Sequence, residues 1–147
     1  YGLQNIGKMV VFLGGGLTAC ECACHLANHN RTVTVVIRGD KMAKNLTGYY
    51  RNALLTEMDK RNITQVMNAP IVRIEKDGVV INHEGEDVKL MADTVILATG
   101  AVSNTDTVEE IKALAGDIPT TVIGDCNRIG QVADAVRSGY NAAMAVL

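Results

Sequence analysis

The stretch from Lys8 to Arg38 constrains the fold more than any other part of the sequence. A short apolar run, three consecutive glycines, a helix-forming segment and a second apolar run follow one another directly. Residues 10–13 are apolar at successive positions, which is typical of a parallel strand covered on both faces. Residues 32–37 form a second such run, rich in β-branched side chains. The order predicts a strand–turn–helix–strand unit about 30 residues long.

The turn of this unit fits the Gly-x-Gly-x-x-Gly/Ala pattern of phosphate-binding loops. Gly14 allows a tight turn, Gly16 removes the Cβ that would keep a pyrophosphate from the backbone, and Ala19 lets the helix lie close to the sheet. The helix N-terminus then directs unsatisfied N–H groups and a positive dipole end at the anion. We therefore predict a dinucleotide site, the alternative being a glycine turn that only packs a helix on a sheet. Its loop residues are Gly14, Gly15, Gly16, Leu17, Thr18 and Ala19.

Length and charge narrow the class of protein. A chain of 147 residues can form one domain with a substantial core. The net charge of −2 gives no electrostatic case for binding nucleic acid or an acidic membrane surface. No apolar run approaches the roughly 20 residues of a membrane span and no signal peptide precedes the first strand, so we expect a cytoplasmic protein. Because the chain begins at Tyr1 and residues 2–7 read as a linker, we also expect an excised piece of a larger protein.

Three of the four cysteines lie in the first predicted helix. Cys20 and Cys24 share a face, whereas Cys22 points elsewhere. Such spacings do not meet disulfide geometry without unwinding the helix, and the absence of Cys-x-x-Cys disfavours a thiol–disulfide centre. A metal site would need a fourth ligand, and His25 is on a different face from Cys24. We interpret the cysteines as small apolar side chains that pack the helix on the sheet. The three histidines lack a recognisable partner, so we predict neither a catalytic residue nor a metal site.

The remaining chain predicts alternating strands and helices with one inserted antiparallel segment. Asp77-Gly78 is a strong hairpin signal within that segment. Residues 93–100 read as another buried parallel strand ending in small residues, which allow a ligand to approach its carboxyl end. The other predicted elements are a helix over 47–62, a strand over 63–67, a β-meander over 71–91, a helix over 108–115 closed by Gly116, a last strand over 120–125, and a helix with an apolar stripe over 131–147. The fold class predicted is α/β, a Rossmann-like parallel sheet with helices on both faces.

The segments GGGLTACE, VTVVI, ADTVILATG and TVIGDC, in this order and spacing, resemble the pyridine-nucleotide half of flavoproteins with two dinucleotide-binding domains. The chain most resembles the C-terminal part of the NADH:flavin oxidoreductases that include 2,4-dienoyl-CoA reductase, enoate reductase and trimethylamine dehydrogenase. The resemblance implies a parent with an N-terminal barrel carrying FMN and an iron–sulfur cluster, followed by an FAD-type domain interrupted by an NAD(P)-type domain. Residues 1–100 would be the NAD(P)-binding domain, and residues 101–147 a strand and helix of the FAD-type domain.

The resemblance also implies roles for individual residues. The glycine turn matches the family's pyrophosphate loop, and Glu21 matches a glutamate near the nicotinamide, with an ordinary surface charge as the alternative. Ala98, Thr99 and Gly100 match the strand end that borders the cofactor. Asp125 matches an aspartate that in relatives binds the ribityl or pyrophosphate part of the flavin, and without the rest of that domain it has nothing to bind.

Two positions depart from the family pattern. NAD-specific members usually end the second strand in an acidic residue that binds the adenosine 2′-hydroxyl, whereas this chain has Ile37 there, followed by Arg38. A guanidinium could pair with a 2′-phosphate, so the sequence leans toward NADPH, with a solvated surface charge as the alternative. Asn30 replaces a glycine between helix and strand, and asparagine tolerates the left-handed conformation.

The activity implied is hydride transfer from NAD(P)H to a flavin, in which the cofactors perform the chemistry and the protein positions them. The chain would belong to an oxidoreductase whose substrate pocket lies in the missing barrel, and the isolated fragment would be inactive. Two other classes stay open. A non-catalytic nucleotide-binding Rossmann module would use the same glycine turn, and an interaction domain would self-associate as a homodimer through the C-terminal helix.

Overall fold

The computed structural model describes residues 5–146, so residues 2–4 of the predicted linker lie outside the described residues. The chain divides into two compact units, one up to Gly100 and one from Ala101. The first unit contains β1 (Met9–Leu13), α1 (Leu17–Asn28), β2 (Thr32–Val36), α2 (Gly48–Lys60), β3 (Thr64–Val66), β4 (Ile71–Glu75), β5 (Gly78–His83), β6 (Glu86–Met91) and β7 (Thr94–Leu97). The second contains α3 (Thr105–Ala115), a 3₁₀ turn (Gly124–Cys126) and α4 (Val132–Val146).

Four strands form a parallel sheet in the order β3-β2-β1-β7. Val11 of β1 is in register with Thr34 of β2 on one side and with Val95 of β7 on the other. Because all four strands run the same way, their carboxyl ends meet at one edge. From β1 the chain continues to β2 and β3 on one side of it. The later strand β7 pairs with β1 on the other side, so the direction in which strands are added to the sheet reverses at β1. Open α/β sheets bind ligands in the crevice at such a point.

The alternating side chains of the central strands divide the core into two layers. Val10 and Phe12 of β1 point into the cluster that α1 and α2 cover, whereas Val11 and Leu13 point into the cluster on the opposite face. The second cluster is closed by the antiparallel sheet β4-β5-β6, chiefly through Val79 and Ile81. The predicted α/β class is confirmed, with one difference. Both helices of this unit cover one face of the sheet, and the meander rather than a helix covers the other.

Two local predictions in the first unit meet different outcomes. Asn30 adopts a left-handed backbone with φ of 57°, as its substitution for glycine predicted. The strand predicted over residues 93–100 is shorter and less buried than expected, because β7 is an edge strand among the described residues and Leu97 is 67% exposed. Residues 98–100 continue beyond the ladder as irregular chain.

The second unit is helical where the sequence predicted helices. Asn104 accepts a hydrogen bond from the Thr107 amide at 3.4 Å and caps α3, which ends at Gly116 with φ of 57°. The strand predicted over residues 120–125 is wrong: the chain is irregular there and enters the 3₁₀ turn at Gly124. No helix within residues 5–146 is both long and apolar enough to cross a bilayer.

Candidate functional site

The glycine turn lies where β1 ends, between the carboxyl ends of β2 and β7. The Gly14 amide donates to the Val36 carbonyl at 2.9 Å, and the Ala98 amide donates to the Leu13 carbonyl at 2.8 Å. Gly14 has φ of 111°, and a Cβ at this position would overlap the Ala98 carbonyl oxygen. This glycine therefore serves both the turn conformation and the close contact of the two strand ends.

The second glycine packs against a loop that the sequence did not single out. A Cβ on Gly15 would lie 2.5 Å from Met42 Sδ and 2.6 Å from Ile37 Cγ2. The Gly15 carbonyl accepts a hydrogen bond from the Ala43 amide at 2.7 Å, and Ala43 itself has φ of 48°. Met42 and Ala43, two apolar residues in a mostly polar loop, were the only sequence signal for this contact. The loop after β2 thus fixes the shape of the glycine turn.

The third glycine leaves the N-terminus of α1 open. Gly16 is the N-cap of α1 with an extended backbone, and a Cβ added there would meet nothing within 4 Å. The amides of residues 17–19 have no hydrogen-bond acceptor within residues 5–146, while the Cys20 amide donates to the Gly16 carbonyl at 3.1 Å. Free amides at a helix N-terminus with no side chain in front of them suit a phosphate group. The residues present therefore fit a dinucleotide pyrophosphate.

A mostly apolar cavity of about 530 Å³ extends from this turn along α1 and β7. It includes the loop residues Gly16, Leu17, Thr18 and Ala19, together with Ala98 and Gly100 from the end of β7. The sequence predicts these six as site residues but not the rest of the cavity wall. The remaining wall residues lie just before β1 or on β1, α1 and β7, namely Ile6, Phe12, Cys22, His25, Leu26, Ile96 and Leu97.

Four other predicted site residues do not line the cavity, namely Glu21, Ile37, Arg38 and Thr99. Arg38 is exposed two residues beyond the end of β2, and no hydrogen bond or ion pair holds its guanidinium within the described residues. Ile37, at the predicted position of the missing carboxylate, is 9% exposed and belongs to the core. Glu21 is exposed on α1, and Thr99 is exposed beyond β7. Parallel pairing brings the ends of β1, β2 and β7 to one edge, so Ile37, Arg38 and Thr99 lie on or near it, whereas Glu21 lies on α1.

Asp125 lies in the other compact unit. Its side chain accepts a hydrogen bond from the Gly130 amide at 3.2 Å within the 3₁₀ turn region. The neighbouring Gly124 amide donates to Ser138 Oγ of α4 at 3.0 Å. These two bonds explain the local order of a segment that forms no strand.

The cysteines of α1 differ in their surroundings. Burial, with smaller contributions from Cys24 and Glu21, raises the pKa of the Cys20 thiol to about 11, and its Sγ lies 3.6 Å from the Gly15 carbonyl oxygen. Burial also raises the pKa of the half-buried Cys24. Cys20 and Cys24 pack as predicted, but Cys22 is exposed in the cavity, so the packing interpretation is wrong for that residue. Raised pKa values make the two packed thiols poor nucleophiles.

Comparison with known proteins identifies the family. Residues 2–139 match the model described as pyridine nucleotide-disulphide oxidoreductase. The chain belongs to this family. It is 31% identical to cinnamate reductase of Clostridium sporogenes over 144 residues, which are 95% of this chain and 21% of that protein. It is also 31% identical to NADH oxidase of Thermoanaerobacter brockii over 137 residues, 91% of this chain and 21% of that one.

Solved structures of larger oxidoreductases contain the same fold. A complex of 2-naphthoyl-CoA reductase matches with a TM-score of 0.81 and 28% identity, over 95% of this chain and 21% of that one. Histamine dehydrogenase from Rhizobium sp. 4-9 matches with a TM-score of 0.80 at 20% identity, over 94% of this chain and 23% of that one. The predicted resemblance to the flavoprotein oxidoreductases is thereby confirmed. The chain spans about a fifth of the length of these relatives.

Proposed function

We propose that this chain is the NAD(P)H-binding part of a larger flavin-dependent oxidoreductase. The observation that carries the proposal is the open N-terminus of α1, where Gly16 leaves three amides without protein acceptors at the carboxyl edge of the parallel sheet. A pyrophosphate would accept from these amides, and the cavity beside β7 would receive the nicotinamide end. The relatives' names, cinnamate reductase and NADH oxidase, support a redox role for the parent.

When bound at this turn, reduced nicotinamide would supply a hydride, and its acceptor would be an FAD held elsewhere in the parent. In this proposal the barrel with FMN and an iron–sulfur cluster also belongs to the absent part, and residues 101–147 belong to the FAD-type domain. Asp125 would then meet the flavin only in the complete protein. The chain's own residues bind and orient the nucleotide: the turn holds the pyrophosphate, Glu21 and residues 98–100 border the nicotinamide, and the isolated fragment does not turn over.

The exposed guanidinium of Arg38 favours NADPH over NADH. It lies two residues beyond the end of β2 and has no ion-pair partner within residues 5–146, so it is free to bind a 2′-phosphate on the adenosine ribose. No carboxylate at the end of β2 opposes that phosphate, because the position is the buried Ile37. Binding of a doubly charged phosphate by a guanidinium is the strong form of a charge-assisted hydrogen bond.

We expect the chain to bind NADPH more tightly than NADH, and Arg38→Gln to weaken NADPH binding about ten-fold, because a hydrogen bond to a charged group contributes about 1.5–3 kcal/mol. NADH binding by this variant should stay unchanged. Isothermal titration calorimetry with each nucleotide at one ionic strength measures both affinities, and thermal-shift titration provides an independent check.

Lys41→Gln is the matched control, since it removes another exposed cation from the same loop. Equal losses for Arg38→Gln and Lys41→Gln would show a non-specific charge effect, and tighter binding of NADH by the unchanged chain would contradict the NADPH preference. If the isolated chain binds neither NADPH nor NADH, the function proposed for it is contradicted. If the chain binds the nucleotide saturably but the parent protein holds no flavin that the nucleotide reduces, the non-catalytic Rossmann module would be favoured instead.

The C-terminal helix supports a second candidate, self-association. Val132, Val136, Tyr140 and Met144 of α4 recur every four residues, and each is more than half exposed. In the parent we infer that the flavin domain covers this stripe. In the isolated chain a second copy would cover it, because an amphipathic helix buries its apolar face against another surface.

Light scattering over a range of concentrations should therefore show a dimer that dissociates on dilution. Tyr140→Lys should shift the equilibrium to monomer, because it places a charge in the centre of the stripe. Asn141→Lys adds the same charge to the same helix beside the stripe and should leave the equilibrium unchanged. A monomer at every concentration, or equal responses of the two variants, would refute dimerisation through α4.

A further inference from the structure

Two histidines near the end of α1 lie side by side on the protein surface. His25 and His29 are four residues apart, which places them on the same side of the helix one turn from each other. Both are exposed, and their ring centroids lie 4.5 Å apart with an interplanar angle of 43°. His25 also lines the cavity, but neither ring has a role in the binding of the dinucleotide proposed for this chain.

A hydrogen bond sets the tautomer of the second ring. Nδ1 of His29 lies 2.8 Å from the carbonyl oxygen of His25. A carbonyl oxygen only accepts, so the neutral ring carries its proton on Nδ1 and keeps a free lone pair on Nε2. Metal-binding histidines in proteins show the same arrangement, in which the non-ligating nitrogen donates to a backbone carbonyl and fixes the ring. In its neutral form the His29 ring is thus oriented as a ligand would be, with Nε2 available.

The first ring is free to join it. The His25 side chain has no hydrogen bond of its own to the other described residues. A metal ion about 2.0–2.1 Å from two imidazole nitrogens in tetrahedral geometry sets those nitrogens about 3.3 Å apart. The ring centroids already lie 4.5 Å apart, and the exposed His25 side chain has no hydrogen bond among the described residues that opposes its rotation toward that separation.

The surroundings limit the site to two protein ligands. Residues 5–146 contain no group of three or more His, Cys, Asp or Glu side chains placed to hold one ion. The Arg31 guanidinium donates to the His29 carbonyl at 3.0 Å, and this positive charge lowers the affinity for a cation without blocking Nε2. Water would complete the coordination, as it does in sites with open positions.

We propose that His25 and His29 form a two-histidine clamp for a divalent transition-metal ion of the class that favours imidazole, such as Ni²⁺, Zn²⁺ or Cu²⁺. The clamp lies at the C-terminal end of α1, and it needs neither the glycine turn nor a bound nucleotide. Failure of nucleotide binding would therefore leave this proposal intact.

Calorimetric titration of the reduced, tag-free chain with Ni²⁺ tests the clamp. We expect saturable binding of one ion, and His25→Gln and His29→Gln should each weaken it about ten-fold or more, since each removes one of two ligands. His83→Gln removes a histidine on β5 and should leave the affinity unchanged. Circular dichroism of the variants checks that α1 persists, and His25→Gln is the safer of the two because it removes no hydrogen bond.

Three results would overturn the proposal. The first is an unchanged Ni²⁺ affinity in His25→Gln with α1 intact, and the second is the absence of saturable binding by the parent sequence. The third concerns Cys22, which lies one turn before His25 and is exposed. If Cys22→Ser lowers the affinity as much as His29→Gln does, the thiolate is a ligand as well, and the two-histidine clamp is wrong.

Discussion

Gly14→Ala is expected to destabilise the first unit by about 3 kcal/mol or more, because it combines a strained backbone with a direct overlap. The position has φ of 111°, which an L side chain rarely adopts, and the new Cβ would meet the Ala98 carbonyl oxygen, a backbone atom that cannot rotate away. To relieve this overlap, the ends of β1 and β7 would have to separate. The hydrogen bond from the Ala98 amide to the Leu13 carbonyl would then be lost. Urea unfolding followed by circular dichroism measures the change in the free energy of unfolding.

Gly16→Ala is the matched control, two residues away in the same turn. Its φ is −71°, and the added methyl group meets nothing within 4 Å, so we expect the free energy of unfolding to change by no more than about 1 kcal/mol. In the proposed site the added methyl group would take space that the pyrophosphate needs, so NADPH affinity should fall while the fold persists. Equal stability of the two variants would contradict the different functions that the structure assigns to the two glycines.

The turn and its neighbours could be predicted because their causes are local. Successive apolar residues specify β1, the glycines specify the turn, and Asn30 specifies a left-handed connection to β2, each within a few residues of chain. Parallel pairing then brings the ends of β1, β2 and β7 to one edge whatever the rest of the chain does. The positions of the glycine turn and of the neighbouring strand ends followed from the sequence for this reason, although their roles in binding remain proposals.

The features that the sequence did not predict depend on contacts between distant segments. Residues 120–123 carry the β-branched pattern of a strand, but a strand also needs a partner for its backbone groups, and no described residue pairs with them. The bond from Ala43 to Gly15 joins two loops 28 residues apart. The face of the sheet that α2 covers also depends on distant contacts. An apolar stripe predicts that a helix packs against the sheet, but it does not predict on which face.

Phe12→Ala is expected to cost about 3–5 kcal/mol of unfolding free energy, the usual range for removing a buried phenylalanine. Phe12 is the sole phenylalanine in the sequence, is 1% exposed, and lies in the centre of the sheet between Val35 of β2 and Ile96 of β7. Its ring belongs to the cluster under α1 and also forms part of the cavity wall. Because a domain of this size has a stability of about 5–15 kcal/mol, the loss would be a large fraction of the total.

Phe12→Leu and Leu97→Ala separate burial from general disturbance of the sheet. Leucine keeps most of the apolar volume, so Phe12→Leu should cost less than about 1.5 kcal/mol. Leu97→Ala removes a similar side chain from the same cavity wall, but one that is 67% exposed, and the change should stay within about 1 kcal/mol. The chain contains no tryptophan, so far-ultraviolet circular dichroism in urea is the suitable measurement. A cost for Phe12→Ala as small as that for Leu97→Ala would mean that α1 does not close the core over the centre of β1, and the nucleotide cavity would then lose this part of its wall as well.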